Sequence, residues 1–153
     1  MSSSYLEQLF GLSGRTAVVV GGTGVLGGAL AEGLARAGAF VVVAGRGAER
    51  GEACVERIHA AGGSGSFASV DAVERGSVQE LLAGVIAVRG RVDILVNCAG
   101  VNSSVPYFEI ADDDWDRVLS TNLKSTHLGC QIFGAHMASA GGGAILNLSL
   151  IHI

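Results

Sequence analysis

A short β-branched run, Thr16–Val20 (TAVVV), stops at Gly21-Gly22-Thr23-Gly24-Val25-Leu26-Gly27-Gly28, and helical periodicity begins there. Val25, Leu26, Ala29, Leu30, Gly33, Leu34 and Ala37 recur at helical spacing, and Gly38 stands where glycine ends a helix. Few folds allow a strand to pass through a glycine cluster straight into a helix. Gly22, Gly24 and Gly27 fit the pattern GxGxxG. Glycine is needed there because the chain turns tightly and its backbone must come close to a pyrophosphate, which meets the free amides of the opening helix. The pattern has this meaning only between a strand and a helix, which is where it lies here.

The rest of the chain repeats the alternation. Residues 40–44 (FVVVA) predict a second strand, 48–61 a helix closed by Gly62-Gly63, and 66–70 a weaker third strand. Val78, Leu81, Leu82, Val85 and Ile86 predict a helix with one apolar stripe and Ser77 as its N-cap. Residues 92–96 (VDILV) predict a fourth strand and 144–148 a fifth. Between these two, one long helix is expected over 113–139, with Leu119, Leu123, Thr126, Cys130, Phe133 and Met137 on one face. Strands alternating with helices imply right-handed βαβ units and a parallel sheet. Strands such as VVV and ILV do not alternate with polar residues, so both sheet faces are covered. Hydrophobic residues at 49% against 16% charged agree with that. The expectation is α/β: a Rossmann-like doubly wound parallel sheet in one dinucleotide-binding domain over residues 1–153.

An acidic residue at the end of the second strand would bond the ribose 2′-hydroxyl of NAD. The sequence there is Val43-Ala44-Gly45-Arg46, with no carboxylate. A guanidinium pairs bidentately with phosphate, so Arg46 points to the 2′-phosphate of NADP, preferred over NAD. The net charge of −4 argues against nucleic-acid and anionic-membrane partners. Three widely spaced cysteines, Cys54, Cys98 and Cys130, suggest neither a metal site nor a redox pair. His59, His127, His136 and His152 form no ligand cluster, and the acidic run Asp112-Asp113-Asp114 with Asp116 reads as helix capping and dipole compensation. No metal is expected. With no basic leader ahead of an apolar stretch and no run long enough to span a bilayer, a soluble cytoplasmic protein is expected.

Further along, Asp71 follows the third strand, Asn97-Cys98-Ala99-Gly100 follows the fourth, and Asn122 sits in Thr121-Asn122-Leu123-Lys124 within the long helix. In this order, with the glycine turn, these residues resemble the short-chain dehydrogenase/reductase family over roughly residues 12–147. The resemblance implies an NAD(P)-dependent oxidoreductase that moves hydride between an alcohol and a carbonyl. It places cofactor contacts at Gly21, Thr23, Gly24, Leu26 and Gly27 in the turn, at Asp71 and Ala72, and at Asn97, Ala99 and Gly100, beside Arg46. It places Asn122 in the proton relay and a serine near Ser149 against the substrate. Stretches 21–28 and 109–124 are similar to some sugar-acid and polyol reductases, so the expected partner is a small carbonyl or alcohol, with a homo-oligomer in the full-length form. Val20 stands where the family has threonine, and the spacing Gly21, Gly24, Gly27 is similar to the extended branch, so an epimerase or dehydratase stays open. So does a non-catalytic module that senses dinucleotide.

The family's tyrosine–lysine pair, spaced by four, has no match. The only lysine is Lys124, and Tyr5 and Tyr107 are followed four residues later by Leu9 and Ala111. The sheet is therefore expected to be truncated after the fifth strand, leaving an aggregation-prone edge and no reductase activity in the chain alone. Residues 148–153 (LSLIHI) read as the translation of a sequencing-transposase adaptor end and are expected to be non-native.

Overall fold

The computed structural model describes residues 5–148. Strands β1 (Thr16–Val20), β2 (Phe40–Gly45), β3 (Ser64–Ser69), β4 (Ile94–Asn97) and β5 (Ala144–Asn147) form one sheet in the order β3-β2-β1-β4-β5. All four pairings are parallel, with Val18 opposite Val42 on one side and opposite Leu95 on the other. The order reverses direction at β1, so β1 and β4 part at the switch point where doubly wound sheets bind ligands.

Helix α1 (Tyr5–Phe10) precedes the sheet. Helices α2 (Val25–Arg36) and α3 (Ala48–Ala60) cover one face, while α4 (Arg75–Arg89) and α6 (Ser125–Ser139) cover the other. The strand pleat decides which residue goes where. Ala17, Val19, Val41 and Val43 meet Ala31, Ala35, Cys54 and Ile58 on the first face. Val18, Val20, Val42 and Ala44 meet Val78, Leu81, Val85, Leu128, Phe133 and Met137 on the second. Both registers are apolar, which is why β1 and β2 lack alternation.

The long helix departs from expectation. It is α-helical over α5 (Asp112–Leu119), winds into a π-helical turn over Ser120–Lys124, and resumes as α6. A π turn holds an extra residue per hydrogen-bonded ring, so the side chains on either side of it lose phase. The expected single stripe splits: Phe133 and Met137 are buried, whereas Leu123 is 66% exposed. Two expected caps also differ. Helix α4 starts at Arg75 with Glu74 as N-cap, and the Ser77 hydroxyl instead accepts the Asp71 amide at 3.0 Å. Helix α5 has Ala111 as N-cap, so its three first-turn aspartates serve the helix dipole without capping.

Strand β5 is exposed at all four residues and ends the sheet. The Leu148 amide extends its ladder by donating to the Asn97 carbonyl.

One ionic knot ties the starts of β1 and β4. Asp93, 4% exposed, accepts from the Thr16 amide and from Arg15, both at 2.9 Å, and pairs with Arg91 at 2.7 Å. Burial alone would raise its pKa, but the Thr16 amide and the two guanidinium groups outweigh burial and hold the carboxyl below its usual range. A depressed folded-state pKa means the stabilisation is present above the unfolded pKa of ~3.9 and fades as pH falls through the lower folded value. Asp93→Asn is expected to cost about 1–2 kcal/mol at neutral pH, less than a fully buried pair because both arginines are half exposed. Urea midpoints measured from pH 7 down to pH 3 check this: the gap between the two proteins should close only toward the acid end.

Candidate functional site

The glycine turn is set by two close approaches. Gly21 takes φ +90°, and a Cβ there would lie 2.5 Å from the Ala99 amide nitrogen. A Cβ on Gly27 would stand 2.3 Å from the Gly21 carbonyl oxygen and 2.8 Å from Cys98 Sγ. With both positions bare, α2 sinks against the ends of β1 and β4. Its N-cap, Gly24, makes no side-chain capping bond, so the first-turn amides open onto the space beside the sheet.

That space is a cavity of about 380 Å³ over the C-terminal ends of four strands. The β1 turn supplies Gly21, Thr23 and Gly24, and β2 supplies Gly45, Arg46 and Gly47. Asp71, Ala72 and Val73 line it beyond β3, and Cys98 to Val101 line it beyond β4. Of the residues expected to contact a cofactor, the cavity brings together Gly21, Thr23, Gly24, Arg46, Asp71, Ala72, Ala99 and Gly100. Leu26, Gly27, Asn97 and Asn122 do not line it. Gly27 lies buried beneath it, and Leu26 is partly exposed on α2. Ser149 lies outside the described residues. Sequence reasoning passed over Arg50 and Thr121, which also line the cavity. Neither occupies a recognised motif position: Arg50 lies in the first turn of α3 and Thr121 in the π turn.

Each wall has its own fastening. Asp71 Oδ1 accepts the Val73 amide at 3.2 Å, which closes a short turn after β3. The Cys98 thiol donates to the Val20 carbonyl at 3.1 Å, joining β4 to β1, and burial pushes its pKa up to about 11, so it stays neutral. Asn97 is buried. Its Nδ2 donates to Asn147 Oδ1 at 2.8 Å across to β5, and its Oδ1 faces Gly129, where a Cβ would lie 2.3 Å away. Asn97 therefore braces the sheet from behind the cavity.

Asn122 lies in the π turn. Its Oδ1 accepts the Val101 amide at 2.8 Å and its Nδ2 donates to the Val101 carbonyl at 2.9 Å. The side chain thus substitutes for a neighbouring strand, and it pins the loop that forms the β4 wall. The π turn is in turn held by Thr126, which donates to the Asn122 carbonyl at 2.9 Å, and by Ser125, which donates to the Thr121 carbonyl.

Chemically, the cavity offers the glycine-turn backbone at Gly21–Gly24, two guanidinium groups with no ion-pair partner among the described residues, and the Asp71 carboxylate. This set suits a ligand with a bridging anion, a second anion and a hydrogen-bond donor. Among the described residues no three metal-ligating side chains gather. No described helix is long and apolar enough to cross a membrane.

A parallel sheet of this order, with helices on both faces and a cavity at its switch point, is a Rossmann-like α/β domain. The short chain dehydrogenase family model matches residues 15–151, and the chain belongs to that family. It is 39% identical over 140 residues to D-threitol dehydrogenase of Mycolicibacterium smegmatis, covering 92% of this chain and 54% of that protein. Gluconate 5-dehydrogenase of Gluconobacter oxydans is 37% identical over 141 residues, covering 92% and 55%. A metagenomic short-chain oxidoreductase crystallised with NADP superposes with a TM-score of 0.82 at 36% identity, covering 88% of this chain and 61% of that one. The chain spans about half the length of the curated relatives it matches.

Removing the Asn122 amide leaves both polar groups of Val101 unpaired, at a local cost of about 1–3 kcal/mol. Asn122→Ala is expected to speed amide exchange at Val101 by roughly tenfold or more while leaving exchange in β1 unchanged. Hydrogen exchange read residue by residue checks it.

Proposed function

We propose that the protein is an NADP-dependent dehydrogenase/reductase that interconverts a secondary alcohol and its carbonyl on a polyol or sugar-acid substrate. The carrying observation is Arg46, which lines the cavity just beyond β2 where a carboxylate would otherwise select NAD. The names of the threitol and gluconate relatives favour the substrate class. A cytoplasmic, homo-oligomeric whole protein goes with this reading, and the three free cysteines suit a reducing compartment.

In this reading NADP, when bound, supplies or accepts the hydride. The chain's own residues bind and orient. The amides around Gly21–Gly27 meet the pyrophosphate, Arg46 meets the 2′-phosphate, and Asp71 accepts from the adenine amino group. Ala72, Ala99 and Gly100 form walls for the adenine and ribose, and Thr23 and Leu26 flank the phosphate turn. Asn97 holds the floor from below. Asn122, bound to Val101, fixes the loop beside the reacting end and is the proposed member of the proton relay. Contact with the substrate oxygen falls to a serine that the family carries near Ser149, in the stretch read above as non-native, and proton transfer falls to a tyrosine–lysine pair that this sequence does not contain. The chain alone is therefore expected to bind dinucleotide without transferring hydride.

Calorimetric titration tests the reading. NADP is expected to bind at least tenfold more tightly than NAD, since a charge-assisted bond to phosphate contributes about 1.5–3 kcal/mol. Arg46→Ala should erase most of that preference and leave NAD binding within about threefold. Equal affinity for the two dinucleotides, unchanged by Arg46→Ala, would overturn it.

A further inference from the structure

We infer that a groove between α4 and the β3 edge of the sheet is a second ligand site, which takes a small molecule with one carboxylate on an unbranched aliphatic body. The groove shares no lining residue with the cavity described above, and the inference does not rest on the dinucleotide reading.

Small residues keep the groove open. Ser66 and Ala68 of β3 and Gly84 of α4 line it, and nothing lies within 4 Å of where a Gly84 Cβ would stand. The space is about 300 Å³, at the lower end of the range for small-molecule pockets. Its floor is apolar: Val42, Leu81 and Val85 belong to the core cluster on this face of the sheet. Its rim carries Val88, an apolar side chain that is 79% exposed. Glu80, Gly84 and Val88 follow one another one helical turn apart, so this wall runs about 12 Å along α4. A long, thin, apolar body fits such a space.

Charge sets the head group. Arg89 borders the groove at the end of α4, with its guanidinium carbon 4.1 Å from the centre of the Phe40 ring. The ring holds the guanidinium in place and leaves its N–H edge to donate. No carboxylate among the described residues pairs with Arg89, whereas Arg15, Arg36, Arg57, Arg91 and Arg117 each have one. A ligand carboxylate matches that fork with two parallel bonds. Glu80, also unpaired among the described residues, is the one other charged residue lining the groove, about 13.5 Å back along the helix. It repels a second anion, so the complement is a monocarboxylate and not a dicarboxylate.

Octanoate titrated into the 153-residue chain tests the site, with amide chemical shifts as the readout. Saturable shifts are expected at Ser66, Ala68 and Gly84, with the Gly24 and Ala99 amides unmoved. Octanol, which lacks the charge, should bind roughly tenfold more weakly. Octanedioate should do so too, and Glu80→Gln should bring it within about threefold of octanoate. Arg89→Met keeps an apolar stem over Phe40 and removes the fork; it should weaken octanoate roughly tenfold and leave octanol unchanged. Gly84→Leu enters open space and replaces a glycine inside a helix, so its unfolding midpoint should not fall. It should abolish the octanoate shifts at Ser66 and Ala68. Shifts confined to α1 or α5, or octanoate binding that survives Gly84→Leu, would overturn the site. Octanol bound as tightly as octanoate would overturn the carboxylate assignment.

Discussion

The structure depends on how closely α2 can approach the ends of β1 and β4. Gly21 and Gly27 touch backbone to backbone, with the Cys98 sulfur against the same spot. A methyl group on Gly27 would push the helix off the Gly21 carbonyl and the Cys98 sulfur, and one on Gly21 would strike the Cys98–Ala99 backbone. The apolar layer beneath, with Val19 and Val43 against Ala31 and Ala35, needs that same approach to close. One packing constraint therefore serves both the core and the shape of the glycine turn.

Two buried or half-buried amides extend this order outward. Asn97 spans from β4 to β5, and Asn122 spans from a helix to an irregular loop. Asn122 supplies both a donor and an acceptor where regular backbone pairing is lacking, whereas Asn97 adds a donated side-chain bond to a strand pair that is already regular. The loop after β4 contains no strand or helix until Tyr107, yet its first residues form a defined wall. The Val101–Asn122 pair explains how. Below them the Asp93 knot performs the same task electrostatically, joining the two central strands at the opposite end from the cavity.

Much of this was legible in the residues. Apolar runs that carry valine announce β1, β2 and β4, whereas β3 (SGSFAS) and β5 (AILN) carry no valine, and β3 begins two residues before its expected start. Eight of the expected cofactor contacts line one cavity because they all follow strand ends, and a parallel sheet gathers its strand ends on one side. What escaped was information that lies in helical phase and in tertiary partners. Ser77 has the right residue type for a cap, but its hydroxyl accepts the Asp71 amide six residues back, a bond the capping pattern does not anticipate. Asn97 carries the motif yet lies under the cavity, because its side chain points along the sheet toward Asn147. Arg50 belongs to no motif, and only the fold brings it to the cavity wall.

The π turn at Ser120–Lys124 sets a rotational offset within a single rod. One residue beyond the α repeat turns everything upstream by about 100° relative to everything downstream. Leu119 and Leu123 thereby look outward while Phe133 and Met137 look inward, although all four keep the spacing of a common stripe. Loss of a single codon from this stretch would not break the rod. It would swing the outward leucines toward the sheet and carry Asn122 away from Val101, so the loop's anchorage and the hiding of two greasy side chains are mutually exclusive outcomes of the same winding.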